Sequence, residues 1–246
     1  MWNKPHLLNA IADLLMLVAS AALLAAAAVW LVRVPSLPVR HVVFADTLAH
    51  TRRAEVEQVL PVSLKGNFFS INLESVRGAL EKLPWVRKVD IRRQWPDRLE
   101  VNIEEHKPVA RWGEGRGELV NSYGEVFAAN LPDSEANAMP LLFGPVGTAP
   151  EVLKEYGELV GAFKAVGEVP VQVTLSPRLA WVLKLQNGML VDIGREQPKS
   201  PVGVRLARFI EAYPEMVAKR AVRPVVVDLR YPNGFAMRVA TEGKGK

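Results

Sequence analysis

The hydrophobic period of this chain switches from helical to two-residue at Pro84, and that switch fixes the order of elements on either side of it. Upstream, Leu73, Val76, Ala79, Leu80 and Leu83 recur at three- and four-residue intervals, lining one side of a helix over residues 72–83 with Asn72 as its cap. Pro84 cannot continue that helix. Downstream, Val89 and Ile91 alternate with Lys88, Asp90 and Arg92, and Leu99, Val101 and Ile103 alternate with Glu100, Asn102 and Glu104. The stretch therefore predicts a helix followed by a two-stranded hairpin, turning at Trp95-Pro96-Asp97-Arg98, where proline presets one dihedral and aspartate can bond the bend. Trp85 and Trp95 are expected to pack beneath the helix stop and the turn.

Residues 14–32 carry no charge, and a helix over them spans roughly the 30 Å hydrocarbon core of a bilayer. The apolar run is longer than the core of a cleaved signal peptide and the basic region before it is only Lys4 and the terminal amine, so an anchor is expected, with Trp2 and Trp30 as interfacial aromatics. Charge does not orient it. Lys4 and Asp13 before the helix, against Arg33 and Arg40 after it, give no bias toward a cytoplasmic N-terminus. The net charge of +5 belongs to the rest of the chain, yet acidic and basic residues are interspersed, which describes a mixed solvated surface rather than a nucleic-acid footprint. With no cysteine, neither a disulfide framework nor a thiolate metal site can form.

Before the hairpin stretch, residues 39–44 read as a first strand, and Thr51 is expected to cap a helix carrying Val56, Val59 and Leu60 on one face and ending at Pro61. Beyond it, residues 118–128 read as a hairpin around Asn121–Gly124 and residues 139–143 as a short strand. Thr148 with Glu151 predicts a capping box, opening a helix whose Val152, Leu153, Tyr156, Leu159, Val160 and Phe163 form an apolar face closed by Gly167. Strands follow over 169–175, 180–185 and 189–193, the last two joined by the hairpin dipeptide Asn187-Gly188. A helix from Pro201 to Lys219 carries Val204, Leu206, Ala207, Phe209, Ile210 and Tyr213, and Pro214 should kink or shorten it. Residues 225–229, almost continuously apolar, predict a central strand; a turn at Tyr231-Pro232-Asn233-Gly234 leads to a last strand over 235–239.

The chain offers little for catalysis. His6, His41, His50 and His106 have no metal-ligand spacing, no nucleophile elbow, P-loop or dinucleotide fingerprint is present, and Glu104 and Glu105 on a strand point to opposite faces. The expectation is a protein that is no enzyme and uses no cofactor or metal. The last strand is the more promising feature. Formed late, with one charge and no proline, it is expected at a sheet edge, able to accept a partner strand by β-augmentation.

The fragments G-N-F-F-x-I-N at 66–72, L-P-W-V at 83–86, R-x-W-P at 93–96 and E-x-x-P-V-A-x-W at 105–112, downstream of one membrane segment, resemble the POTRA domain of FtsQ/DivIB bacterial cell-division proteins. The resemblance implies an α+β protein with a cytoplasmic tail over 1–13, a transmembrane helix over 14–32, a linker over 33–38, a POTRA domain (β-α-α-β-β) over 39–109, a mixed β-sheet domain with two or more helices over 110–240, and a flexible tail over 241–246. It implies an inner-membrane location with both domains periplasmic, and docking of FtsB- and FtsL-like bitopic division proteins, with no nucleic acid or small-molecule substrate. Asp228-Leu229-Arg230-Tyr231-Pro232-Asn233-Gly234 matches the family's D-L-R-Y-x-x-G segment. On that match the partner-binding residues are Tyr231 as aromatic anchor, Asn233, Gly234 as a point of close backbone approach, Phe235 as an apolar grip, and Ala236, Met237 and Val239, with Arg178 near the same surface. Val239 stands where some relatives have tryptophan. The rival readings are a POTRA-bearing polypeptide-transport or assembly factor and a membrane-anchored cell-wall enzyme.

Overall fold

The computed structural model describes residues 5–33, 38–44, 48–63, 66–115, 117–220 and 224–239. Trp2 and Lys4, most of the 33–38 linker and the 241–246 tail lie outside them. The chain divides into two compact units, Met1–Glu105 and His106–Lys246.

The first unit opens with α1 (Pro5–Arg33), of which Leu8–Trp30 is long and apolar enough to cross a bilayer, and Trp30 is exposed. The helix starts well before residue 14, since Asp13 is the only acidic or basic residue besides His6 between Pro5 and Leu14, and the apolar Leu7, Leu8, Ala10, Ile11 and Ala12 lie between the two. Then come β1 (His41–Phe44), α2 (Arg53–Ser63), α3 (Leu73–Leu80), β2 (Val86–Gln94) and β3 (Arg98–Glu105). The sheet order is β1-β3-β2, with β1 parallel and β2 antiparallel to the central β3. Val56 and Leu60 of α2 and Val76 and Leu80 of α3 bury against Val89, Val101 and Ile103 of the sheet. Asn72 caps α3 by accepting from the Ser75 N–H, 3.2 Å away.

Three expectations change here. α2 runs through Pro61 to Ser63, since a proline in the last turn removes only one bond of the ladder. α3 stops at Leu80, so Leu83 lies in the turn after it. Trp95 is 79% exposed: it stands just beyond the last cross-strand pair, Gln94 with Arg98, and nothing among the described residues of the unit covers it. Trp85 is half-buried and stacks on His50 at 4.1 Å.

Glu105 closes β3 with a structural task. Its carboxylate accepts the N–H groups of Ala49 (2.8 Å), His50 (3.2 Å) and Thr51 (2.6 Å). Burial opposes its ionisation, but the hydrogen bonds from Thr51, Ala49 and His50 prevail and hold its carboxyl below the usual glutamate range. A depressed folded-state value means stabilisation that is whole above the ordinary glutamate range and lost as pH falls through the folded value. Glu105→Gln is therefore expected to cost about 1–2 kcal/mol at neutral pH. In thermal unfolding the gap between variant and parent should close at acid pH.

The second unit is one nine-stranded mixed sheet. Its strands are β4 (Pro108–Trp112), β5 (Glu118–Asn121), β6 (Val126–Ala128), β7 (Leu141–Phe143), β8 (Pro170–Leu175), β9 (Ala180–Leu185), β10 (Leu190–Arg195), β11 (Pro224–Asp228) and β12 (Ala236–Val239), ordered β12-β11-β10-β9-β8-β7-β4-β5-β6. A short α4 (Asp133–Ala138), not anticipated from the sequence, precedes β7. Two long helices, α5 (Ala149–Lys164) and α6 (Val202–Arg220), cover one face, where Val152, Leu159, Phe163, Phe209 and Tyr213 meet Leu142, Val173, Leu183, Val191 and Val227.

The expected capping box is not formed. Thr148 turns its hydroxyl to the Pro145 carbonyl at 2.8 Å and makes no side-chain cap to α5. α6 is not shortened by Pro214 but continues to Arg220, because Tyr213, Met216 and Val217 still pack on the core across the missing bond. Val204 is exposed while its neighbour Arg205 is buried, its guanidinium donating to the carbonyls of Ser200 and Arg195. β11 is next to last rather than central, and only Pro224 and Val227 of its five residues are buried.

Candidate protein-binding edge

The residues singled out for binding fall mostly on one continuous piece, the turn after β11 and the strand β12. β11 ends at Asp228, whose carboxylate takes a two-pronged contact from Arg230, Nε at 2.9 Å and Nη2 at 2.6 Å, and also accepts the Arg230 N–H at 3.0 Å. Asp192 of β10 adds an ion pair to the same guanidinium at 3.4 Å. The Arg230 side chain holds the Asp228 carboxyl below the usual aspartate range, against the opposing effect of burial. This cluster was not read from the sequence: Arg230 and Asp228 lie in the quoted motif, but nothing local announces Asp192.

Beneath Arg230 lies Gly194, at φ +77°, where an added Cβ would stand 2.7 Å from the Arg230 Cγ. Both the left-handed backbone and the close approach require glycine. Gly194→Ala is expected to cost about 1–3 kcal/mol, read as a lowered melting temperature, and to push Arg230 off Asp192.

From Arg230 the chain turns through exposed Tyr231, Pro232 and Asn233. The turn is tied to α6 by Arg208, whose guanidinium donates to the Pro232 carbonyl at 2.7 Å. Among the described residues other than its two chain neighbours, no atom lies within 4 Å of where a Cβ on Gly234 would stand, so the space beside it is open. Phe235 is half-buried, its ring edge-on to Phe209 at 5.5 Å and 88°. Met237 also packs on the core, so these two residues face inward while Ala236 and Arg238 between them face out. Val239 is more than a third exposed.

β12 pairs antiparallel with β11, Asp228 opposite Ala236 and Val226 opposite Arg238, with an irregularity between Pro224 and Val226. It forms one end of the sheet; among the described residues no strand pairs with its outer side. Arg178 is exposed in the turn between β8 and β9. The register puts that turn at the same end of the sheet as Asp228 and Ala236, but β9 and β12 are three strand spacings apart, about 14 Å. Arg178 and β12 are thus two patches on one rim.

His106 stacks on Phe127 at 4.1 Å and lies 2.9 Å from the Asn121 side-chain nitrogen, and Glu104 pairs with Arg87 while Glu105 holds the loop before α2. What the rim offers is a strand side that no strand among the described residues pairs with, a glycine with open space beside it and an exposed tyrosine.

Comparison with known proteins agrees with this architecture. Residues 37–106 match the family model described as POTRA domain, FtsQ-type, and residues 110–230 match Cell division protein FtsQ/DivIB, C-terminal, a match that ends just before the Tyr231 turn and β12. The chain is similar to the cell division protein FtsQ of Burkholderia pseudomallei, 38% identical over 98% of this chain and 95% of that protein. It is also similar to the FtsQ of Bordetella pertussis, 34% identical over 98% and 93%, and of Neisseria meningitidis serogroup B, 34% identical over 93% and 94%. Two matched modules in this order, with likeness across nearly the whole length of its relatives, place the chain in the FtsQ/DivIB family of bacterial cell-division proteins.

Proposed function

We propose that this protein is a bitopic inner-membrane scaffold of the division machinery, its N-terminus cytoplasmic and its two folded units periplasmic. It links and recruits septal proteins without doing chemistry itself. FtsB- and FtsL-like bitopic proteins are its partners: one extends a strand along the outer side of β12, while the POTRA module supplies a second docking surface. The observation that carries this reading is the unpaired outer side of β12, since an open edge of this kind accepts an extended peptide through main-chain hydrogen bonds.

The roles of the individual residues follow from their surroundings. Tyr231, exposed and beside the edge, is the aromatic anchor; Asn233, Gly234 and Ala236 face the incoming chain. Phe235 and Met237 act from beneath by seating the strand on α6 and the core, and Val239 extends the edge. Arg178, one patch along the rim, meets an acidic residue of a partner that reaches beyond the added strand. The test is capture of the soluble segments of the two bitopic partners by the full-length chain, with hydrogen exchange to map the surface. Protection that includes residues 231–239 and the rim around Arg178, with or without the POTRA module, supports the reading; protection that leaves residues 231–239 unchanged overturns it.

A further inference from the structure

We propose that the β2–β3 hairpin tip of the first unit rests on the anionic headgroups of the bilayer that α1 crosses, holding the module against its own membrane. The proposal rests on α1 as a membrane span and is independent of the β12 edge.

Covalent reach sets the scene. α1 ends at Arg33 and β1 begins at His41, a stretch that spans no more than about 28 Å even when fully extended. β1 starts beside the tip, with His41 opposite Arg98 and the Arg40 N–H bonded to the Asp97 carbonyl at 2.9 Å. The end of the module that carries the tip is therefore the end tethered to the membrane.

The side chains at that end have interfacial chemistry. Trp95 is 79% exposed at the point of the hairpin, and Phe69 is 42% exposed on the loop before α3. Arg93 fastens that loop to β2, donating to the carbonyls of Phe68 at 2.9 Å and Ile71 at 2.7 Å, so the two aromatics stand on a common, braced end. Arg40 and Arg98 are exposed around them, and Arg92, also exposed, pairs with Asp90 at 2.9 Å. Exposed tryptophan ringed by arginine suits the headgroup layer, where the indole finds both apolar contact and hydrogen-bond partners and each cation near an anionic surface strengthens association roughly fivefold. A protein partner would leave the same groups idle in an empty bilayer, which separates the two possibilities.

The chain contains no cysteine, so a single introduced one can be labelled uniquely. The full chain is placed in phosphatidylcholine nanodiscs with or without phosphatidylglycerol. An environment-sensitive dye is carried on Gln94→Cys at the tip, or on Lys82→Cys at the far end of the hairpin, and quenching by headgroup nitroxide lipids is read. With phosphatidylglycerol the tip dye should be quenched at least about fivefold more than the Lys82 dye; omitting that lipid, or Arg92→Glu with Arg98→Glu, should remove most of the difference, and Trp95→Glu should abolish it. Equal quenching at the two positions in a chain that co-elutes with the discs overturns the docking alone, as does a difference that survives Trp95→Glu. A chain that elutes apart from the discs overturns the anchor reading and the docking with it.

Discussion

Proline placed in turn at Ala236 and at Met237 is expected to separate the two sides of β12. In an antiparallel pair a residue directs both its N–H and its C=O either to its partner or away from it, and the choice alternates along the strand. Of these two neighbours, one therefore bonds β11 and the other presents its groups to the open side. Proline at the first removes an internal ladder bond and should lower the stability of the second unit. Proline at the other removes an outward donor and puts a ring where an added strand must lie, and an edge position facing solvent is where a sheet tolerates it. A missing donor together with that clash amounts to about 3 kcal/mol, or on the order of a hundredfold in Kd for a partner segment, with the melting temperature almost unchanged. Titration of the soluble partner segment against both variants, beside their unfolding curves, distinguishes the two effects. If the variant with native stability still captures its partner within about threefold of the parent, β-augmentation on this edge is wrong.

The parts of the fold that were legible in the sequence are those governed by near neighbours. Asn72 caps α3 because its target N–H is three residues away, and Asn187-Gly188 closes the β9–β10 hairpin because glycine supplies the φ of +89° that the turn demands. Where two local options compete, the sequence does not choose. The Thr148 hydroxyl had the α5 N-terminus and the Pro145 carbonyl within reach and took the latter, and Pro214 spoils one bond of α6 while the tertiary packing of its neighbours keeps the helix whole. The candidate edge shows the same division. The D-L-R-Y-x-x-G segment marks residues 228–234, and the lateness of the last strand points to an edge. The distance of Arg178 from that edge depends on strand order over four strands, and the share of Asp192 in holding Arg230 depends on a parallel pairing of β10 with β11. Neither leaves a local trace.

Phe209→Ala is expected to produce the largest loss of stability in the second unit and to reach the edge through it. Phe209 is fully buried, and its ring meets Phe163 at 6.2 Å, Tyr213 at 5.5 Å and Phe235 at 5.5 Å. Truncation leaves a cavity that rigid strands on one side and α5 on the other cannot fill, a change that typically costs 3–5 kcal/mol. Against a total stability of roughly 5–15 kcal/mol, that should lower the melting temperature of a unit of this size by about 10–15 °C. Phe235 leads directly into β12, so the same substitution takes away the contact that seats the strand. Hydrogen exchange over residues 235–239 should then accelerate more than over β8 and β9, and partner capture should weaken beyond what global unfolding accounts for. Uniform acceleration across the sheet would mean that pairing with β11 alone holds β12 in place. The distinction matters for the proposed recognition: with Phe235 and Met237 packed against the core, an added strand would draw affinity from the backbone ladder and selectivity from the exposed Tyr231, Asn233, Ala236, Arg238 and Val239 and from Arg178 along the rim.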